Sequence, residues 1–361
     1  VHFNKIIPLI ILVLSLSCSK KNSPNTPDSG VPTLSFLRAA DLSFQPEIQS
    51  DNAEFFDSSA VKIEVLPFLA SNGWNAVRLR LWVNPTDNHS GFAEVKAYAK
   101  QVRDQNLPLW LCIHYSDEWA DPGNQNTPSS WSGMNSSILE DSVRSYTLRV
   151  VEALQPEIVQ VGNEINHGFL WPQGSIDSTD TFISLLKAGL ESVHEANPSS
   201  IRMVHLAGQE ASVYWQLQLL EEEAVSYEWL GLSYYPWWHG KDLDQLSIQL
   251  IELSQLTNRP IGIAETAYPF TLDWNDWTNN IVGLPEHLIP GIPASAGGQA
   301  TFLHKIDSIC GSIPNSWGWA YWAPDCISWK GPNATDGSSL ENLALFDFES
   351  KALPSAYLNK Y

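Results

Sequence analysis

Ile158-Val159-Gln160-Val161-Gly162-Asn163-Glu164 and Ile261-Gly262-Ile263-Ala264-Glu265-Thr266 decide the reading of this chain. Each opens as a short strand-like run, too short for a helix, and reaches a carboxylic acid where the run ends. Six more runs of the same kind lie at 34–37, 76–82, 109–113, 201–206, 230–234 and 317–322. Between them fall segments of helical period at 92–105, 137–154, 181–196, 243–256 and 299–309, with Asn72-Gly73 and Asn197-Pro198 as stop signals. Pro67 interrupts the first helical pattern, and the pattern after the eighth run is weak. Eight strands alternating with helices predict an α/β protein, a single-domain (β/α)8 or TIM barrel over residues 34–361. A doubly wound dinucleotide-binding sheet is disfavoured, because no glycine-rich loop follows the first strand.

A barrel of this kind places its chemistry at the C-terminal ends of the strands. Those ends are polar here: Asp41 and Ser43 on strand one, Arg80 and Trp82 on two, His114 to Asp117 on three. Asn163 and Glu164 end strand four, Tyr234 and Tyr235 strand six, Glu265 and Thr266 strand seven, and Trp322 strand eight. Strands four and seven face each other across the mouth, so Glu164 and Glu265 can address one substrate from two sides. A glycosidase needs that arrangement, with one acid protonating the leaving oxygen and one carboxylate attacking the anomeric carbon or activating water. Either Glu alone would read more readily as a structural salt-bridge partner; two at opposed strand ends reverse that reading. On the paired reading, Glu164 is protonated at rest and Glu265 ionised. Asn163 would bond a sugar 2-hydroxyl, Tyr234 would donate to Glu265, and Arg80 would lower its pKa. Arg78 lies deeper and reads as a structural partner of a core carboxylate, and His114 as a hydrogen-bonding wall.

The charge balance, 40 acidic against 20 basic residues for a net charge of −20, supplies no basic stripe and argues against a nucleic-acid partner. Sixteen Trp against two Met is the other unusual figure. Indole is a flat apolar platform with a polar edge, suited to stacking on sugar rings. Trp82, Trp119, Trp171, Trp237, Trp238 and Trp322 follow strand ends and are candidate platforms, whereas mid-strand Trp110 reads as core or as outer-layer packing against a helix.

Residues 1–18 read as a lipoprotein signal peptide: Lys5, an apolar stretch too short to span a bilayer, then Ser15-Leu16-Ser17-Cys18. An ordinary signal peptide is the alternative. With Cys18 lipidated, residues 19–33 form a flexible tether. The expectation is an exported monomer anchored to the membrane by its lipid, on the outer membrane of a Gram-negative bacterium, with the membrane face left open. Cys112 reads as core, and a Cys310–Cys326 bridge is left open, since three remaining cysteines exclude a full disulfide framework.

With these residues laid out, the chain resembles glycoside hydrolase family 53, the arabinogalactan endo-β-1,4-galactanases, within the retaining clan of (β/α)8 barrels. The resemblance rests on residues 114–122 (HYSDEWADP), 159–166 (VQVGNEIN), 231–236 (GLSYYP) and 265–269 (ETAYP). It implies Glu164 as acid/base and Glu265 as nucleophile in a double displacement. The implied substrate is β-1,4-galactan, including type I arabinogalactan of pectin side chains, and its galacto-oligosaccharides. Asp41, Arg80, Trp82, His114, Asp117, Trp119, Asn163, Tyr234, Trp237 and Trp322 are the expected substrate contacts, and no cofactor is required. Other members of the clan act on mannan, xylan or glucan, and a non-catalytic glycan-binding lipoprotein is the remaining alternative. Tyr321-Trp322-Ala323-Pro324-Asp325-Cys326 departs from relatives that carry Glu after the Trp and a second Trp at the position of Cys326; Arg38-Ala39-Ala40-Asp41 lacks a Gly. Bacterial relatives hold calcium after strand seven; here Asp273, Asn275 and Asp276 are the calcium candidates, without clear alternation of oxygen ligands.

Overall fold

The computed structural model describes residues 34–360 apart from Asn88 and Glu210. The expected signal peptide, tether and Cys18 lie outside the described residues. Eight parallel strands close into a ring: β1 (Leu37–Asp41), β2 (Ala76–Leu81), β3 (Leu109–Ile113), β4 (Ile158–Val161), β5 (Ile201–Ala207), β6 (Trp229–Ser233), β7 (Ile261–Thr266) and β8 (Gly318–Tyr321). Closure falls on β1, where Ala39 lies opposite Ala76 of β2 and Leu37 opposite Gly318 of β8. Gly318 has φ +121°, and a Cβ there would meet the Leu37 carbonyl at 2.0 Å, so only glycine lets β8 start against β1.

The outer layer holds α1 (Val65–Ser71), α2 (Phe92–Asp104), α3 (Ser136–Leu154), α4 (Thr179–Ala196), α5 (Ala211–Glu222), α6 (Leu243–Thr257) and α7 (Ala296–Ser312). Pro67 sits in the first turn of α1, where its missing N–H has no helical acceptor to serve. Two elements depart from the sequence reading. The first strand is 37–41 rather than 34–37, because the small inward Ala39 and the end residue Asp41 continue a run whose apolar signal fades after Leu37. Helix α5 was not anticipated: Val213, Leu217 and Leu220 form its buried stripe, but exposed Trp215 blurs the period. After β8 the chain makes only 3-10 turns, at Glu341–Leu343, Pro354–Ala356 and Leu358–Lys360, in place of an eighth helix. The last segment is fastened by a hydrogen bond from Trp74 Nε1 to the Ala356 carbonyl at 3.0 Å.

The barrel interior has a floor of tryptophan. Trp229 and Trp317 stack at 5.4 Å, and Trp110 meets Trp317 edge-on at 5.3 Å. Trp110 thus fills the barrel rather than packing on an outer helix. Above the floor the inward positions turn polar, with Arg78, Cys112, Gln160 and His205 hydrogen-bonded across the ring. Cys112, Cys310 and Cys326 are all buried and free, so Cys310 and Cys326 do not pair.

Candidate active site

The polar layer carries two carboxyls at the mouth. At the end of β4 the chain turns sharply through two left-handed residues, Gly162 at φ +79° and Glu164 at φ +49°. A Cβ at Gly162 would meet Ile165 Cγ2 at 2.5 Å. A non-glycine residue at positive φ costs about 1–3 kcal/mol and is tolerated where a side chain must be aimed. At β7 the pairing shifts so that Ser233 of β6 lies opposite Glu265 instead of Ala264, and this bulge turns Glu265 into the mouth.

Both carboxyls line one cavity of about 400 Å³ and are almost wholly buried, Glu164 at 8 % and Glu265 at 6 % exposure. Their surroundings differ. Glu265 Oε1 accepts from Arg78 Nη2 at 2.7 Å, and its Oε2 accepts from the Tyr235 hydroxyl at 3.0 Å. Among the described residues the Glu164 carboxyl accepts only from the Ser233 hydroxyl, which in turn contacts His205 Nε2 at 2.9 Å. Burial pushes Glu164 up to about 8, and the nearby Glu265 charge adds to the effect. Burial raises Glu265 too, but Arg78 and Tyr235 oppose it, so Glu265 is the member held ionised. A neutral acid facing a carboxylate across one cavity can supply a proton from one side and a nucleophile from the other.

Arg78 is the hub beneath them. It bonds Asp41 Oδ2 at 2.6 Å, Asn163 Oδ1 at 2.8 Å and Gln160 Oε1 at 3.2 Å besides Glu265. Burial works against its charge, while the ion pairs with Glu265 and Asp41 hold the guanidinium protonated. Two expected roles therefore move. The donor to Glu265 is Tyr235, because Ser233 and Tyr235 alternate inward while the Tyr234 hydroxyl bonds the Gly240 carbonyl at 2.8 Å. The cation beside Glu265 is Arg78, one pleat deeper than Arg80.

Arg80 instead braces the aromatic wall. Its Nε donates to Ser90 Oγ at 2.9 Å, and its guanidinium lies 3.9 Å from the Trp119 ring centroid and 4.5 Å from that of Trp82. Trp82 is buried behind this wall, its Nε1 3.4 Å from His114 Nδ1, and does not line the cavity. His114 does line it, and since Nδ1 also accepts from the Ala120 N–H at 3.2 Å, the ring proton resides on Nε2. Burial pushes His114 well down, so the ring is neutral.

Asp41, Asn163, Trp119 and Trp322 reach the cavity as expected, with Trp119 and Trp322 rings 5.8 Å apart. Asp117 does not: its oxygens accept from the N–H groups of Asn84 and Ser129 and from the Ser129 hydroxyl, joining loops. Trp237 packs on Tyr235 at 5.0 Å, and Trp171 donates to the His167 carbonyl at 2.9 Å; neither lines the cavity. Phe44, Trp329 and Tyr235 line it without having been anticipated. Inward alternation from Ser233 was the available signal for Tyr235; nothing local marked the other two. In loop eight, Asp325 is fully buried with neither carboxyl oxygen hydrogen-bonded among the described residues, and burial pushes it well up, so it is held neutral.

The calcium candidates tie the loop after β7 to the segment after β8. Asp276 accepts from the N–H groups of Thr278 at 2.6 Å and Ser338 at 3.0 Å, and Asn275 N–H donates to Glu341 Oε1 at 2.6 Å. Asp273 accepts from the Thr271 hydroxyl at 3.1 Å. Among the described residues no group of three or more His, Cys, Asp or Glu is placed to hold a metal ion.

Comparison with known proteins agrees with this geometry. The sequence model of glycosyl hydrolase family 53 matches residues 37–358. An uncharacterized protein from the bgaB 5′ region of Niallia circulans is 34% identical, over 89% of this chain and 92% of its own length. The arabinogalactan endo-β-1,4-galactanase of Cellvibrio japonicus is 30% identical, over 97% of this chain and 95% of its own. The solved catalytic domain of an Ignisphaera aggregans family 53 protein superposes with a TM-score of 0.86 at 33% identity, covering 91% of this chain and 97% of that one. A closed barrel with unequal carboxyls on β4 and β7, matched over nearly its whole described length, belongs to glycosyl hydrolase family 53 and is a glycosidase.

Proposed function

We propose that this glycosidase is an endo-acting, retaining β-1,4-galactanase acting on galactan and type I arabinogalactan. The observation that carries the chemistry is the asymmetry of the carboxyl pair. Glu164, kept protonated by its buried site, gives its proton to the glycosidic oxygen as Glu265 attacks the anomeric carbon. The leaving sugar departs with that proton, and a galactosyl ester to Glu265 remains. Glu164, now ionised, takes a proton from water, whose oxygen displaces Glu265 and restores the β-anomer. Asn163 Nδ2 keeps one N–H beyond its bond to the Ala120 carbonyl, available to a sugar hydroxyl. No cofactor enters any step. The galactan assignment draws on the name of the Cellvibrio japonicus relative, and the net charge of −20 suits a neutral polysaccharide better than acidic pectin backbone.

Digestion of linear β-1,4-galactan, followed by product sizing and by NMR of the first anomer released, tests this reading. Oligosaccharides should appear before galactose, as the β-anomer. Turnover should fall as pH rises through about 8, where Glu164 loses the proton the first step needs. Faster cleavage of mannan, xylan or glucan, or release of the α-anomer, would reject it.

We further propose that Cys18 anchors the enzyme by lipid, supported only by the sequence preceding it. In an expressing bacterium, Cys18→Ser should move the protein from the membrane to the soluble exported fraction. Unchanged membrane association in that variant would exclude the anchor.

A further inference from the structure

The loop after β7 carries two tryptophans that the catalytic cavity does not use. Trp274 and Trp277 are 52 % and 66 % exposed, and neither lines the cavity. Among the described residues neither has an aromatic ring packed against it, unlike Trp119 and Trp322, whose rings meet each other. Indoles this open leave apolar surface in water, and a pair of them on one loop marks a contact surface.

The loop beneath them is held firmly. The Asn275 N–H donates to Glu341 Oε1 at 2.6 Å and the Trp277 N–H to the Ala334 carbonyl at 2.9 Å. Asn342 Nδ2 closes the base of the loop by donating to the Thr271 and Val282 carbonyls at 2.9 and 2.7 Å. The indoles are therefore presented on a fixed backbone, which leaves little chain entropy to lose when a ligand arrives. The same loop also serves the cleft. Its Ile281 lines the catalytic cavity together with residues 337–340, and the Gly337 and Ser338 N–H groups donate to Thr278 Oγ1 and Asp276 Oδ2. Trp274 and Trp277 belong to its solvent face, a few residues from the cleft wall yet outside the cleft.

Charge selects the occupant. Residues 271–286 contain no lysine or arginine, and exposed Asp273 and Asn279 stand beside the indoles in the chain. An anionic lipid surface or an acidic polysaccharide would call for cations here. A neutral hydroxyl-rich chain calls for flat apolar platforms with hydrogen-bonding groups at their edges. Resting on the galactanase reading above, we propose that Trp274 and Trp277 form a second galactan-binding surface, separate from the catalytic cleft, that holds a remote stretch of the chain while the cleft cuts it. Tethering at a second point raises the local concentration of bonds offered to Glu164 and Glu265 without touching the bond being cleaved. The effect therefore grows with chain length and vanishes for short oligosaccharides.

The test compares linear galactan with galactotetraose. In the double variant Trp274→Ala/Trp277→Ala the ratio of kcat/KM for galactan to that for the tetraose should fall about fivefold, through KM rather than kcat. The tetraose rate and the product pattern from galactohexaose should stay at wild-type values, and the double variant Trp274→Phe/Trp277→Phe should recover most of the ratio. An unchanged ratio overturns the assignment. A changed tetraose rate or hexaose pattern overturns it too, since the indoles would then belong to the cleft. Loss of binding to phosphatidylglycerol vesicles at an unchanged ratio would make the pair a lipid contact instead. If the wild-type enzyme cleaves neither galactan nor the oligosaccharides, the galactanase reading itself fails, and the second surface falls with it.

Discussion

Glu265→Ala is expected to lower turnover of linear β-1,4-galactan by about a thousandfold or more while the melting temperature stays close to that of the wild type. The activity loss follows from removing the carboxylate that faces Glu164 across the cavity, held by two donors, Arg78 and Tyr235. The intact fold follows from charge balance. When Glu265 is gone, Arg78 keeps its Asp41 ion pair at 2.6 Å and its bond to Asn163, so the buried cation is not stranded. The Tyr235 hydroxyl loses its acceptor, a cost of about 1–3 kcal/mol if the site stays dry. Against this, burial raises the pKa of Glu265, so its ionised form was itself a burden on the fold.

Azide makes this result diagnostic of role. In Glu265→Ala with an aryl β-galactoside, azide entering the vacated carboxylate site attacks the anomeric carbon on the α face. The phenol leaves with the proton from Glu164, and the product is the α-galactosyl azide. Were Glu265 the acid/base instead, azide would intercept a covalent intermediate and give the β-azide. NMR of the product separates the two, and wild-type turnover without azide would remove Glu265 from the mechanism altogether.

The barrel was legible because its strands are short runs buried almost throughout, as parallel strands covered on both faces are, and they alternate with helical segments. The two carboxyls were legible because they interrupt such runs. Their partners were harder, since depth inside a barrel depends on register and bulges. Arg78 is level with Asp41 in the β1–β2 pairing, which places it beneath Glu265; nothing in the sequence states that pairing. At β7 both Ala264 and Glu265 face the interior, against simple alternation, because the bulge inserts one residue there. Tryptophan divides in the same way. Trp110, Trp229 and Trp317 close the barrel floor, while Trp119, Trp238, Trp322 and Trp329 surround the cleft. Composition records only their sum, and the loop after β8, which brings Trp329 to the cavity, carries no periodic signal to place it.

Arg78→Met should have the opposite balance of effects from Glu265→Ala, damaging the fold as well as the reaction. Methionine fills much of the volume but leaves the Asp41 and Glu265 carboxylates buried around a lost cation, where removing one partner of a buried pair costs about 3–5 kcal/mol. The melting temperature should drop by about 10 °C. Activity should fall as well, because without Arg78 the upward pull of burial on Glu265 loses its main opposition. The nucleophile would then ionise at a higher pH than in the wild type, closer to the region near 8 where Glu164 loses its proton, so the working window narrows from its acid side. Adding Asp41→Asn separates the two effects. Neutralising one of the stranded carboxylates should return part of the lost melting temperature, yet leave turnover low, since Glu265 still lacks its cation. A single variant as stable and active as the wild type, or a double variant that regains activity along with stability, would show that Arg78 does not hold Glu265 in its charged state.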